Sequence, residues 1–320
     1  MKTAISVVIP TFNGLHLLQK HLAKVAKILR PGDQIVIVDD ASSDETLSWL
    51  MTQKDLYRPQ NITLTTVALK KNQRFAAAVN AGVKGSKHPY ILLLNNDVSP
   101  LSPNLREQLL RWFSDPLLFA VGCGEVRKND PSTQLFGRGT GHWHRGFLAH
   151  YYDPQQKQYA TLWTTGGSMM FEKAKFELLG GFDTLFYPAY EEDRDLSYRA
   201  LKRGWDLLFD FDSLVWHQHE TTNQSVFGQQ EMSINSWKNQ CLIVWKNVDA
   251  INLLKHILWL PFHLVITHSK TKGAFGKGLW RALKLLPQVL AKRRRESRHW
   301  KRSDQQVLTR AKTFAPHLDQ

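Results

Sequence analysis

The chain has 320 residues, 42% of them hydrophobic, and a formal net charge of +14. That length and apolar content can bury one large core or two modest ones, and they exclude a disordered chain. Two cysteines, Cys123 and Cys241, stand far apart in apolar surroundings, which excludes a disulfide framework or structural zinc site and predicts buried free thiols.

Apolar runs alternate with helical patterns in a βαβα order, which predicts an α/β fold: a mostly parallel sheet with helices on both faces. Residues 5–9 read as the first strand. Only four residues precede it, which leaves no room for a secretory leader and predicts a cytoplasmic protein. A helix over 15–29 follows, stopped by Pro31-Gly32, then a strand over 35–38. Ser42 and Glu45 have capping-box spacing for the next helix. Strands over 62–67 and 90–94 flank an Ala-rich helix over 74–83. A helix over 103–113 and a strand over 119–123 come next. Residues 125–159 show no clear period and read as a long loop or a hairpin excursion. Regularity returns with 164–171, a helix over 172–179, the Gly180-Gly181 stop, a helix over 192–203 and a last strand over 207–216.

The charge is not spread evenly. From Lys270 onward there are 14 Lys plus Arg against three acids, and before it 28 against 25, so the body is nearly neutral and the tail is basic. An apolar stretch over 257–266 precedes that tail, too short for an ordinary bilayer span and broken by Pro261 and His263. With Trp259, Trp280 and Trp300 nearby, the region predicts a helical segment lying on the anionic inner leaflet. Its removal (residues 270–320) is expected to release the protein from membranes and leave the body folded. A nucleic-acid reading explains the tail but not the balanced body, so no nucleic-acid partner is expected.

Three acidic stations punctuate the chain: Asp39-Asp40 and Asn95-Asn96-Asp97, each directly after an apolar strand, and Glu191-Glu192-Asp193 opening a helix. In open α/β sheets ligands bind outside the carboxyl ends of the strands. Carboxylates there suit a site that holds a nucleotide and a divalent cation and removes a proton from a hydroxyl.

The ordered set Ile9-Pro10-Thr11-Phe12-Asn13, Val38-Asp39-Asp40-Ala41-Ser42, Leu94-Asn95-Asn96-Asp97, Gly166-Gly167-Ser168, Gly180-Gly181-Phe182-Asp183 and Glu192-Asp193-Arg194-Asp195 resembles the signatures of family 2 glycosyltransferases, over about residues 5–220. The style is similar to bacterial rhamnosyltransferase-like enzymes of surface polysaccharide assembly. The resemblance implies a GT-A-type catalytic domain over 1–225, with a nucleotide-sugar half (1–100) and an acceptor half (101–225), followed by a helical, basic, membrane-associating region over 226–320. It implies donor contacts from Pro10, Thr11, Phe12, Asp40, Arg74, Asn95, Asn96, Asp97 and Gly167. Arg74 departs from the pattern, standing where Gly is common, and Asn80 and Gly82 belong to the same donor-contacting stretch.

Asn95-Asn96-Asp97 corresponds to the Asp-x-Asp element with its first acid replaced by an amide. Asp97, with His217, is then expected to hold Mn or Mg. Asp193 is expected to be the base, kept ionised by its helix N-terminus, with Glu192 positioning the acceptor or the base. Glu191 and Asp195 are expected in packing, capping or salt bridges, and His142, His144 and His150 in an acceptor-facing loop. The implied activity is transfer of a sugar from a nucleotide-diphosphate donor to a glycan or lipid-linked glycan, with inversion. A catalytically silent scaffold is the alternative, because of the missing acid.

Overall fold

The computed structural model describes residues 3–127, 135–154, 156, 158–218 and 227–315. The strands are β1 (Ile5–Thr11), β2 (Gln34–Asp39), β3 (Thr63–Ala68), β4 (Tyr90–Leu94), β5 (Val98–Pro100), β6 (Leu118–Arg127), β7 (Gly139–His144), β8 (Phe147–Tyr152), β9 (Ser168–Glu172) and β10 (Asp206–His217). Eight of them form one sheet, ordered β3-β2-β1-β4-β9-β6-β10-β5, and only β9 and β5 run against the rest. The excursion over 125–159 contains a hairpin, β7–β8, whose turn residues Arg145 and Gly146 both have positive φ, as a two-residue turn of matching twist requires.

The central strands are apolar throughout because both faces are covered. Val7 and Ile9 of β1 pack against Leu18, Leu22 and Val25 of α1 (Leu15–Lys27), while Val8 packs with Ala78, Val79 and Val83 of α3 (Arg74–Gly85). Between them lies α2 (Thr46–Gln53). The capping box expected there does not form. Ser42 Oγ accepts instead from Asn13 N at 2.9 Å, Asn13 Oδ1 accepts from Ser43 N at 2.7 Å, and Asp44 Oδ1 accepts from Thr46 N at 3.0 Å. The loop after β2 is therefore tied across to the loop after β1.

Two short helices follow, α4 (Leu105–Leu110) and α5 (Lys173–Leu178), and then α6 (Glu192–Lys202). The chain ends in five helical segments: α7 (Gln229–Asn247), α8 (Ala250–Lys270), α9 (Ala274–Lys284), α10 (Leu286–Ser297) and α11 (Asp304–Thr313). Within α8 a π turn over His263–Thr267 follows Pro261, whose ring cannot continue the regular hydrogen-bond ladder.

The expectation that the tail can be removed without cost is corrected here. Val307, Leu308 and Ala311 of α11 join the core beneath α3 and α6, and Phe314 joins the core on the other face of the sheet. A true capping box, Ser303 with Gln306, starts α11. At its first residue the buried Asp304 carboxylate accepts from Tyr198 Oη at 2.8 Å, Asn252 Nδ2 at 2.6 Å, Asp249 N at 2.9 Å and Lys202 Nζ at 3.1 Å. Asp304→Ala strips those donors and leaves the buried Lys202 with Asp249 as its remaining carboxylate. It should cost about 3–5 kcal/mol in urea unfolding. A loss below about 1 kcal/mol would mean that α11 is not integral to the fold.

Candidate active site

The carboxyl edge of the sheet gathers the expected residues. Pro10 and Thr11 end β1, Asp39 ends β2, and Asp40 N donates to Thr11 O at 2.9 Å. Asn96 Nδ2 donates to Thr11 Oγ1 at 2.9 Å, bringing the loop after β4 against the end of β1, and half-buried Phe12 follows Thr11 on the same edge. Asn95 N donates to Gly167 O at 2.9 Å. A Cβ on Gly167 would sit 2.8 Å from Asn95 Nδ2 and 3.2 Å from His217 Cε1, so the close approach requires glycine.

Asp40 spends its carboxylate on backbone. Its two oxygens accept from Gln73 N and Arg74 N, each at 2.7 Å. Burial raises its pKa, and these two N–H groups only partly offset the rise. The bonds hold Arg74 at φ 69°, which explains why glycine is common at this position. An arginine here bears about 1–2 kcal/mol of strain. Its guanidinium lies 4.8 Å from the Phe227 ring. Asn80 and Gly82, by contrast, are structural. Asn80 bonds Phe182 N and O at 2.9 and 2.8 Å, and a Cβ on Gly82 would lie 2.5 Å from Val8 Cγ1.

Asp97 and His217 meet, with His217 Nε2 at 3.3 Å from Asp97 Oδ1. The other ring nitrogen, Nδ1, lies 3.3 Å from Glu125 Oε2, and Glu125 Oε1 accepts from Ser168 Oγ at 2.7 Å. Burial alone would lower the imidazole's pKa. The carboxylates on either side outweigh it and push it up to about 9. Glu125 is the residue that sequence reading missed. Its signal was the same as at the other stations: an acid at the end of an apolar strand, fully buried here.

These donors fit a hard cation. Asp97 Oδ1 and His217 Nε2, 3.3 Å apart, would together hold a divalent cation, and the carboxylate behind the imidazole is a common second partner of metal-ligating histidines. Among the described residues no cluster of three or more His, Cys, Asp or Glu ligands exists, so a cation held here would need amide, water or diphosphate oxygens as its further ligands.

Asp193 lies at Gly166, the neighbour of the Gly167 that approaches Asn95 and His217. Its Oδ2 accepts from Gly166 N at 3.3 Å and its Oδ1 from Arg194 N at 2.8 Å. The helix N-terminus does supply a donor, but burial and the charge of Glu191 prevail over Arg194, and the Asp193 pKa goes up rather than down. Glu192 is raised too, by burial and then by Asp193. The two share one low-dielectric pocket, and the more buried Glu192 is the better place for a proton. Glu191 takes the expected ion-pair role, 2.7 Å from Arg194 Nη1 and 3.2 Å from His150 Nε2. Asp195 does so as well, with Arg199 and Lys246. His142 and His144 are exposed on β7.

The approach to these acids is strained: Tyr190 and Glu191 have φ of 71° and 74°. Helix α7 holds them. Asn239 Nδ2 donates to Phe186 O, Ala189 O and Tyr190 O at 3.2, 3.0 and 2.8 Å, Asn235 Nδ2 to Ala189 O at 2.7 Å, and Lys238 Nζ to Tyr187 O. No local pattern marks Asn239, an amide in mid-helix, as part of this apparatus.

The family model described as Glycosyl transferase family 2 matches residues 6–180. The O-antigen chain rhamnosyltransferase RfbN of Salmonella typhimurium is 22% identical over 225 residues, 70% of this chain and 69% of the relative. Among solved structures, the mannosyltransferase PcManGT from Pyrobaculum calidifontis, in complex with GDP-Man and Mn2+, superposes with a TM-score of 0.57 at 16% identity, covering 97% of this chain and 86% of that one. TarS 1-349 from S. aureus, in complex with UDP-GlcNAc, gives 0.59 at 15% identity over 96% and 89%. These likenesses establish a GT-A-type fold, and the family match covers more than half of the chain: it belongs to glycosyl transferase family 2 and is a glycosyltransferase.

Proposed function

We propose that this chain moves a sugar from a nucleotide-diphosphate donor to a hydroxyl of a glycan or lipid-linked glycan, with inversion and with Mn or Mg, in bacterial cell-surface polysaccharide assembly. One juxtaposition carries the reading. The Gly166-Gly167 turn touches Asp193 through its first glycine and Asn95 and His217 through its second, so a proton acceptor and the Asp97–His217 pair flank one glycine turn. The ligands of the neighbouring structures, GDP-Man with Mn2+ and UDP-GlcNAc, and the O-antigen relative support the donor and acceptor classes.

In this reading Pro10, Thr11, Phe12 and Asp40 form the nucleotide side, Arg74 meets the diphosphate, and Asn95, Asn96 and Gly167 line the sugar. Asp193 takes the acceptor hydroxyl's proton as the oxygen attacks the anomeric carbon. The bond from that carbon to the diphosphate oxygen breaks and the diphosphate leaves with the electron pair. Asp97 and His217 would hold the cation, which neutralises charge on the leaving group when bound. Glu192 positions the acceptor or the base, and Glu125 orients His217. Residues 1–100 serve the donor, 101–225 the acceptor, and 226–320 a peripheral contact with the anionic cytoplasmic leaflet.

Asp193→Asn should leave nucleotide-sugar affinity within about threefold and lower kcat by about 10²–10⁴; wild-type turnover would remove Asp193 from its role and favour the silent scaffold. Arg74→Gly relieves strain but loosens the unfolded chain, so stability should hold within about 1 kcal/mol. Donor affinity should fall at least about fivefold by calorimetry, as one charge-assisted contact is lost; unchanged affinity would make Arg74 a surface residue.

The His217 pKa, raised from 6.5 to about 9, contributes stability that is whole below 6.5 and is lost as pH rises through 9. A cation held by Asp97 and His217 would replace that proton. Apparent Mn2+ affinity, measured by titration calorimetry in buffers of different ionisation enthalpy, should therefore rise between those values by up to about tenfold per pH unit, with release of a proton. A flat profile, or unaltered Mn2+ binding in Asp97→Ala, would contradict the assignment.

A further inference from the structure

A surface helix in water turns its apolar stripe inward. Helix α8 does the reverse. Its buried positions are polar: Asn252, His256 and His263. Asn252 Nδ2 donates to Asp304 Oδ2 at 2.6 Å. His256 accepts from Trp245 Nε1 at 3.0 Å and reaches Gly146 O at 3.0 Å through its other nitrogen. His263 reaches Arg145 O and Thr267 Oγ1, both at 2.8 Å. The outward side carries Ile251, Leu254, Ile257, Leu258 and Val265, each between 52% and 70% exposed.

The surroundings say what covers this face. Over the 46 residues 250–295 there are ten Lys plus Arg and no Asp or Glu. A second copy would set that basic segment against itself, like charge against like. An anionic bilayer complements both its apolar stripe and its charge. At 21 residues α8 is long enough to cross a membrane. Crossing would pull Asn252, His256 and His263 off their partners and put them with Lys255 in hydrocarbon.

The inner side of α8 grips the turn of the β7–β8 hairpin. Three residues beyond Phe147, about 10 Å along the strand, His150 meets Glu191 at 3.2 Å, two residues from Asp193. We infer that α8 lies in the plane of an anionic bilayer, apolar side down, without crossing it, and holds the active site at the level of the lipid headgroups, where the hydroxyl of a lipid-linked acceptor would be. This rests on the membrane contact proposed above and adds its face, its depth and the acceptor class.

The test uses the full chain and vesicles with or without phosphatidylglycerol. Wild type should co-float with the anionic vesicles only, and Leu258→Glu/Val265→Glu should lose at least tenfold in partition while keeping its melting temperature and its Mn2+-dependent stabilisation by UDP, GDP or dTDP. With both native cysteines buried, an environment-sensitive dye on Leu258→Cys should shift to the blue on anionic vesicles, and one on Met51→Cys of α2 should not. Ser269→Cys should stay reactive to an impermeant maleimide added outside. No partition, undiminished partition of the double variant, protection of position 269, or a solution dimer abolished by the double variant would each overturn the inference. Loss of nucleotide stabilisation in wild type would count against the transferase reading instead.

Discussion

Crowded negative charge at the edge of a dry sheet is the constraint on which the rest depends. Asp40, Asp97, Glu125, Glu191, Glu192 and Asp193 converge where there is little water, and each ionised carboxylate there must find positive charge or donors. Asp40 is met by two backbone N–H groups, Asp97 and Glu125 by the imidazole between them, and Glu191 by Arg194 and His150. Asp40, Asp193 and Glu192 are incompletely compensated, and their raised pKa values register it. Perturbed acids of this kind mark the place where an enzyme handles protons.

That arrangement needs a rigid frame, and much of the frame comes from outside the sheet. Five non-glycine residues around the edge, Asn13, Ala41, Arg74, Tyr190 and Glu191, hold left-handed backbone. Such conformations persist only when the surroundings over-determine them. The loops after β1 and β2 brace each other, Asp40 pins Arg74, and α7 grips the carbonyls before α6. The C-terminal helices are thus part of the catalytic body. Through Asp304 with Lys202, and Lys246 with Asp183 and Asp195, they are joined to it by ion pairs buried on the body side.

Helix α8 and the loop before α6 belong to one mechanical unit. The hairpin turn under α8, the strand that follows it and His150 lead directly to Glu191. The same polar contacts that turn α8 inside out also set its height above the site.

The amino-acid sequence by itself determined the sheet, its helices and the three acidic stations, because buried parallel strands must be apolar and the residue after each is placed at the ligand edge by geometry alone. Arg74 was legible as a departure, though not its backbone strain. The missing capping box at Ser42, the partnership of Glu125 with His217, the grip of Asn239 on the strained loop and the seating of α11 in the core were decided only by tertiary structure. Each joins residues far apart in the chain, where no local period or propensity carries a signal. The upward shift of Asp193 has the same origin: a helix N-terminus can be read from sequence, but the burial that overrides it exists only once the chain has folded around it.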